Sequence, residues 1–98
     1  MIALVIMSLI WDDWNTAHIG RHGVTPAEVE AVCFGKHIVR RSYGSRYVVI
    51  GYTEERRPLL VALEPEPQEG AFYPVTARTA DRKERRMYEE ELEGGEAA

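Results

Sequence analysis

The chain has 98 residues, 45% of them hydrophobic, which is enough for one compact core and too short for two ordinary domains. Its single cysteine, Cys33, excludes a disulfide framework and a cysteine-based zinc site, and it fits a reducing, cytoplasmic compartment. The net charge of -4 divides unevenly: residues 1–88 hold all 12 Lys and Arg against 11 acids, whereas Glu89, Glu90, Glu91, Glu93 and Glu96 crowd the last ten residues. The acidity therefore belongs to a tail, residues 89–98, read as a solvated, partly disordered helix end, and it does not exclude nucleic-acid contact by the near-neutral single domain of residues 1–88.

The opening run, MIALVIMSLI, is almost wholly apolar. It lacks the charged start and cleavage site of a signal peptide, and it falls short of the about 20 apolar residues that cross a bilayer, so no membrane association is expected. Its β-branched content predicts a first strand, with Met7 as a competing start of translation that would remove residues 1–6. Trp11-Asp12-Asp13-Trp14 then leads into a predicted helix with an aspartate cap and a stop at Gly23, weakened by Gly20 inside it. Thr25-Pro26-Ala27-Glu28 is a capping box with proline at the first helical position, and it predicts a helix over 26–34. Val29, Val32 and Cys33 make its apolar stripe, and Gly35 is expected to supply a left-handed stop.

From Lys36 the pattern turns to strands over 37–43, 46–53, 58–64 and 71–79, separated by Gly44-Ser45, a charged EERR turn and a PEPQEG loop. Gaps this short favour antiparallel neighbours. In the second of these strands Tyr47, Val49 and Gly51 face one side and Val48, Ile50 and Tyr52 the other, so it should be covered on both faces. Pro74 cannot donate to a ladder and pushes the last strand toward an edge or a bulge. Asp81 with Glu84 opens a final basic helix whose inner face is approximated by Ala80, Glu84, Met87, Tyr88 and Leu92. The predicted class is α+β: an N-terminal strand, two short helices, an antiparallel four-stranded meander and a C-terminal helix.

Two stretches carry a resemblance. Trp11-Asp12, then Arg21-His22-Gly23-Val24, then the helix ending at Phe34, resemble the N-terminal signature of the BrnT ribonuclease toxins. Val75-Thr76-Ala77-Arg78, continuing through Glu84-Arg85 to Tyr88, is similar to that family's final strand and helix. The likeness spans nearly the whole chain, with departures. Members carry a lysine soon after Trp-Asp and an asparagine three residues before Lys-His-Gly. Here Trp14 or Asn15 and His18 occupy those neighbourhoods, and Arg21 replaces the lysine before the histidine. The missing first lysine bears on catalysis more than on fold. The resemblance implies a RelE-like fold and a metal-independent endoribonuclease that blocks translation. It also implies neutralisation by a BrnA-type antitoxin, which reaches operator DNA on the toxin's behalf. A homodimer and a toxin–antitoxin heterotetramer are both open as assemblies, and no cofactor is implied.

Cleaving RNA without a metal needs a proton carrier near neutrality and cations around the phosphorane, for which histidine and arginine are the natural side chains. His22 and Arg78 are the candidate catalytic residues, and Arg21, Lys83, Arg85 and Tyr88 the candidate RNA contacts. Each has a plainer alternative: His22 as a helix-end residue near the last carbonyls, Arg78 as a holder of the terminal helix through Glu84, and the basic helix face as solvated surface. His18 and His22 stand four apart, but no third ligand is evident, so no metal site is assigned. Tyr43, Tyr47, Tyr52 and Tyr73 read as half-buried sheet surface before they read as base-stacking residues. A competing reading of the whole chain is a catalytically inactive protein-interaction or regulatory module on the same fold.

Overall fold

A computed structural model of the chain describes residues 2–94. Met1, one of the two candidate starts, and residues 95–98 of the acidic tail lie outside the described residues. The elements in order are β1 (Ser8–Leu9), α1 (Asp13–Gly20), α2 (Pro26–Phe34), β2 (His37–Arg41), β3 (Tyr47–Tyr52), β4 (Pro58–Pro65), β5 (Ala71–Thr79) and α3 (Arg82–Glu89), which continues as a π-helical turn at Glu90–Gly94. β2 to β5 form the expected antiparallel meander, and β1 joins its far side parallel to β5, giving the order β1-β5-β4-β3-β2.

Alternation along the strands sorts the core onto two faces. Val39, Val49, Leu59 and Val61 meet Ile19 and Val24 around α1 and Val29, Val32 and Cys33 of α2. Ile38, Ile50 and Leu60 point the other way, against Ala80 and Tyr88 of the α3 region. The sheet is thus sandwiched, with α1 and α2 on one side and α3 on the other. A Cβ at Gly51 would lie 2.9 Å from the Lys36 carbonyl oxygen and 3.2 Å from Val32 Cγ1, so the missing side chain lets the end of α2 sit directly on β3.

Pro74 occupies the site its chemistry demands. The β4–β5 register slips between Ala62↔Thr76 and Leu63↔Pro74, a bulge that spares the strand the N–H proline lacks. The acidic segment is tied down in its described part: Glu91 pairs with Arg40 of β2 at 2.6 Å, and Leu92 packs onto the α3-side core.

The opening run behaves differently from a full strand. Ser8 and Leu9 alone pair with β5, while Ile2 bridges Val39 on the opposite edge. The segment between them therefore crosses the α1–α2 face as a strap, with Ile2, Leu4 and Ile6 turned onto the core and Val5 and Met7 turned outward at 76% and 69% exposure. Its alternation serves packing, because the backbone lies across the strands and not beside one. A protein beginning at Met7 loses three half-buried aliphatic side chains, which should destabilise it by roughly 3 kcal/mol on area grounds. Thermal denaturation should then show a melting temperature more than about 10 °C lower than that of the full chain. Equal melting temperatures would mean that the strap adds nothing to the core.

Candidate functional site

α1 is anchored by a buried asparagine. Asp12 caps the helix by accepting the Asn15 N–H at 2.9 Å, and Asn15 Oδ1 accepts the Asp12 N–H at 2.9 Å. Asn15 is fully buried, and its Nδ2 donates to the carbonyls of Ile10 (2.9 Å) and Pro74 (3.1 Å), which ties the helix start to the β5 bulge. The Tyr73 hydroxyl donates to both Asp12 oxygens. The Asn15 N–H foremost, and then the Tyr73 hydroxyl, hold the Asp12 carboxyl below the ordinary carboxylate range, against the opposing effect of desolvation.

From that anchor α1 runs along β5 to the end where His22 sits. His22 follows the helix in a tight turn closed by Gly23 at φ 71, a backbone conformation suited to glycine. The carbonyls after the helix are taken by Arg57, in the turn between β3 and β4. Its Nη1 donates to Gly23 O at 2.7 Å and to the Glu28 carboxylate at 3.3 Å, and its Nη2 donates to His22 O at 3.4 Å and to Thr79 Oγ1 at 3.1 Å. One guanidinium thus locks the His22 turn, the capping glutamate of α2 and the end of β5 together. It is a positioning residue that reads in the sequence as part of a charged turn and nothing more.

Arg78 reaches the same end of the sheet from the other face. Its strand partner is Leu60, on the α3 side, and its Nη1 and Nη2 clasp the two Glu84 oxygens at 2.8 Å each. Glu84 also accepts the Asp81 N–H at 2.9 Å, so Arg78 fastens the first turn of α3 to β5. The bond from Arg78 is the main cause that holds Glu84 below its ordinary value, and Glu84 in turn raises Arg78. Nη1 donates in addition to Thr79 O at 3.1 Å, and the Arg78 side chain as a whole is 42% exposed. The alternative structural role for Arg78 is therefore occupied, and no hydrogen bond joins it to His22.

The remaining candidates divide. Arg21, Lys83 and Arg85 are exposed, and among the described residues none of them belongs to the ion pairs Arg40–Glu91, Arg46–Glu64, Arg57–Glu28 and Arg78–Glu84. Tyr88 is different. It is 3% exposed, lies in the α3-side core and meets the Tyr52 ring edge-on at 5.1 Å, so its ring offers no face to RNA. The helical spacing that placed it on the inner face of α3 decides its position, and the RNA contact expected from the resemblance gives way to packing. Of the tyrosines read as sheet surface, Tyr47, Tyr52 and Tyr73 are half-buried, while Tyr43 stands exposed in the β2–β3 hairpin.

Along the outer side of α1 the rings of Trp14 and His18 stack at 4.8 Å with 6° between planes, and His22 meets His18 edge-on at 5.7 Å. Beside them runs an open groove of about 440 Å³ lined by Asp13, Trp14, Ala17, His18 and Arg21. Cys33 is buried, which pushes its thiol up to about 12 and leaves it unreactive at neutral pH. Among the described residues no three His, Cys, Asp or Glu side chains are grouped to hold a metal, and no helix is long and apolar enough to cross a membrane.

No protein-family model and no curated protein matches the chain. Among solved structures, the Brucella abortus ribonuclease toxin BrnT matches with a TM-score of 0.63 at 23% identity, over 78% of this chain and 99% of that one. The α+β fold described above matches the fold of that toxin.

Proposed function

Proceeding from that shared fold, we propose that the chain is the toxin of a bacterial type II toxin–antitoxin pair, a cytoplasmic endoribonuclease that cleaves RNA without a metal and so blocks translation. The observation that supports the reading is that, at one end of a BrnT-type sheet, Arg57 ties the His22 turn on one face to Thr79, the strand neighbour of Arg78, whose own side chain meets the first turn of basic α3 on the other face. His22 takes the proton of a 2′-hydroxyl as its oxygen attacks the adjacent phosphorus. The P–O5′ bond then breaks, and the imidazolium returns the proton to the leaving 5′-oxygen, which leaves a 2′,3′-cyclic phosphate. Arg78, whose side chain is partly exposed, and Arg21, Lys83 and Arg85 supply positive charge to the phosphates. A BrnA-type antitoxin is the expected partner and the link to operator DNA, in a heterotetramer or beside a toxin homodimer.

A catalytically inactive interaction module on the same fold is the second reading. It is favoured by the closure of Arg78 onto Glu84 and of Arg57 onto Glu28, which spends both guanidinia on structure.

Induction of the chain alone should arrest growth, co-expression of the adjacent gene should restore it, and the purified protein should cleave labelled RNA in the presence of EDTA. RNA affinity should fall steeply with salt as counterions are released. Normal growth at verified soluble expression, together with intact RNA, would select the interaction module.

A further inference from the structure

α1 presents aromatic surface that its packing does not require. The helix buries Asn15 and Ile19, yet its opposite side carries Trp14, 58% exposed, with His18 flat against it and His22 edge-on beyond. The spacing i, i+4 sets Trp14 and His18 on one side of the helix, and His22, in the turn that follows, continues the row. The row ends at the candidate catalytic imidazole. His18 holds the Trp14 ring in place, so little rotamer freedom remains to be lost when a ligand covers it.

We propose that the Trp14–His18 stack is a platform for unpaired bases of single-stranded RNA, with Arg21 on the adjoining phosphate and His22 beyond it at the reacting sugar. The inference deepens the ribonuclease reading and rests on it. The groove beside the rings has opposite charges at its two ends: Asp13 opens α1, and Arg21 follows its last residue. A nucleotide is likewise asymmetric. Its base edge offers amino and imino donors that suit Asp13, and its phosphate suits Arg21. That orientation directs the sugar–phosphate backbone toward His22. An apolar protein surface has no such asymmetry, and duplex bases are already stacked on each other and have no free face to give the Trp14 ring.

The test measures binding of a short, non-cleavable 2′-O-methyl RNA to the wild-type, Trp14→Ala and Trp14→Phe proteins, with folding checked by circular dichroism. Trp14→Ala should weaken binding by about ten-fold, the scale of one base–aromatic stack, and Trp14→Phe should recover most of the loss. An abasic oligomer of the same length should bind all three proteins alike. Unchanged affinity for Trp14→Ala would overturn the platform, and the ribonuclease reading would survive if the wild type still cleaves RNA. Absence of RNA binding by the wild type would overturn both. An equal loss on the abasic oligomer would overturn stacking as the cause. Unchanged RNA affinity joined to lost co-purification of the antitoxin would assign the stack to a protein partner and overturn the proposal.

Discussion

His22→Ala should lower cleavage of a labelled RNA by about 10²- to 10⁴-fold while leaving affinity nearly intact, the size of effect expected when a proton carrier is removed. The substitution is exposed, and Arg57 grips the backbone carbonyls of residues 22 and 23 rather than the imidazole, so the fold should be unaffected. Arg78→Ala should weaken both binding and cleavage, but it also unfastens α3. Glu84→Gln separates the two roles, because it breaks the same ion pair and leaves the arginine in place. If Glu84→Gln retains cleavage and Arg78→Ala does not, the guanidinium acts on phosphate. If both lose it alike, Arg78 positions the helix. Undiminished cleavage by folded His22→Ala and Arg78→Ala proteins would move the active site elsewhere.

A large loss of stability should come from the single substitution Asn15→Ala. It removes one side chain and leaves three polar groups unsatisfied: the Asp12 N–H and the carbonyls of Ile10 and Pro74. Leaving buried groups unpaired costs roughly 1–3 kcal/mol each, less where water reaches them, so a loss of about 3 kcal/mol is expected. That corresponds to a fall in melting temperature on the order of 15 °C for a domain of this size. Urea unfolding of the two proteins checks it, and an unchanged midpoint would mean that Asn15 does not anchor α1 to the sheet.

Features that rest on neighbours a few residues apart were legible from the residues alone. The box Thr25 to Glu28 opens α2, which ends at Gly35 in an extended and not the expected left-handed conformation, where a Cβ would lie 2.5 Å from the Ala31 carbonyl oxygen; the box Asp81 to Glu84 opens α3, and alternation with short turns yields β2 to β5 in their order. The motifs from Trp11 to Phe34 and from Val75 to Tyr88 likewise pointed to the fold later matched in the BrnT toxin. Tertiary structure decided whatever depends on distant segments meeting. Alternating apolar residues at 2–6 look like a strand, and whether such a segment joins a sheet or straps its face depends on which edge lies beside it. Arg57 reads like any arginine in a charged turn until the α1–α2 loop and the end of β5 close around it. Asn15 and Trp14 lie one residue apart, and the helix twist sends the first into the core against Pro74 and the second into solvent beside His18. A side chain's role is set by what surrounds it, and chain neighbours supply only part of those surroundings.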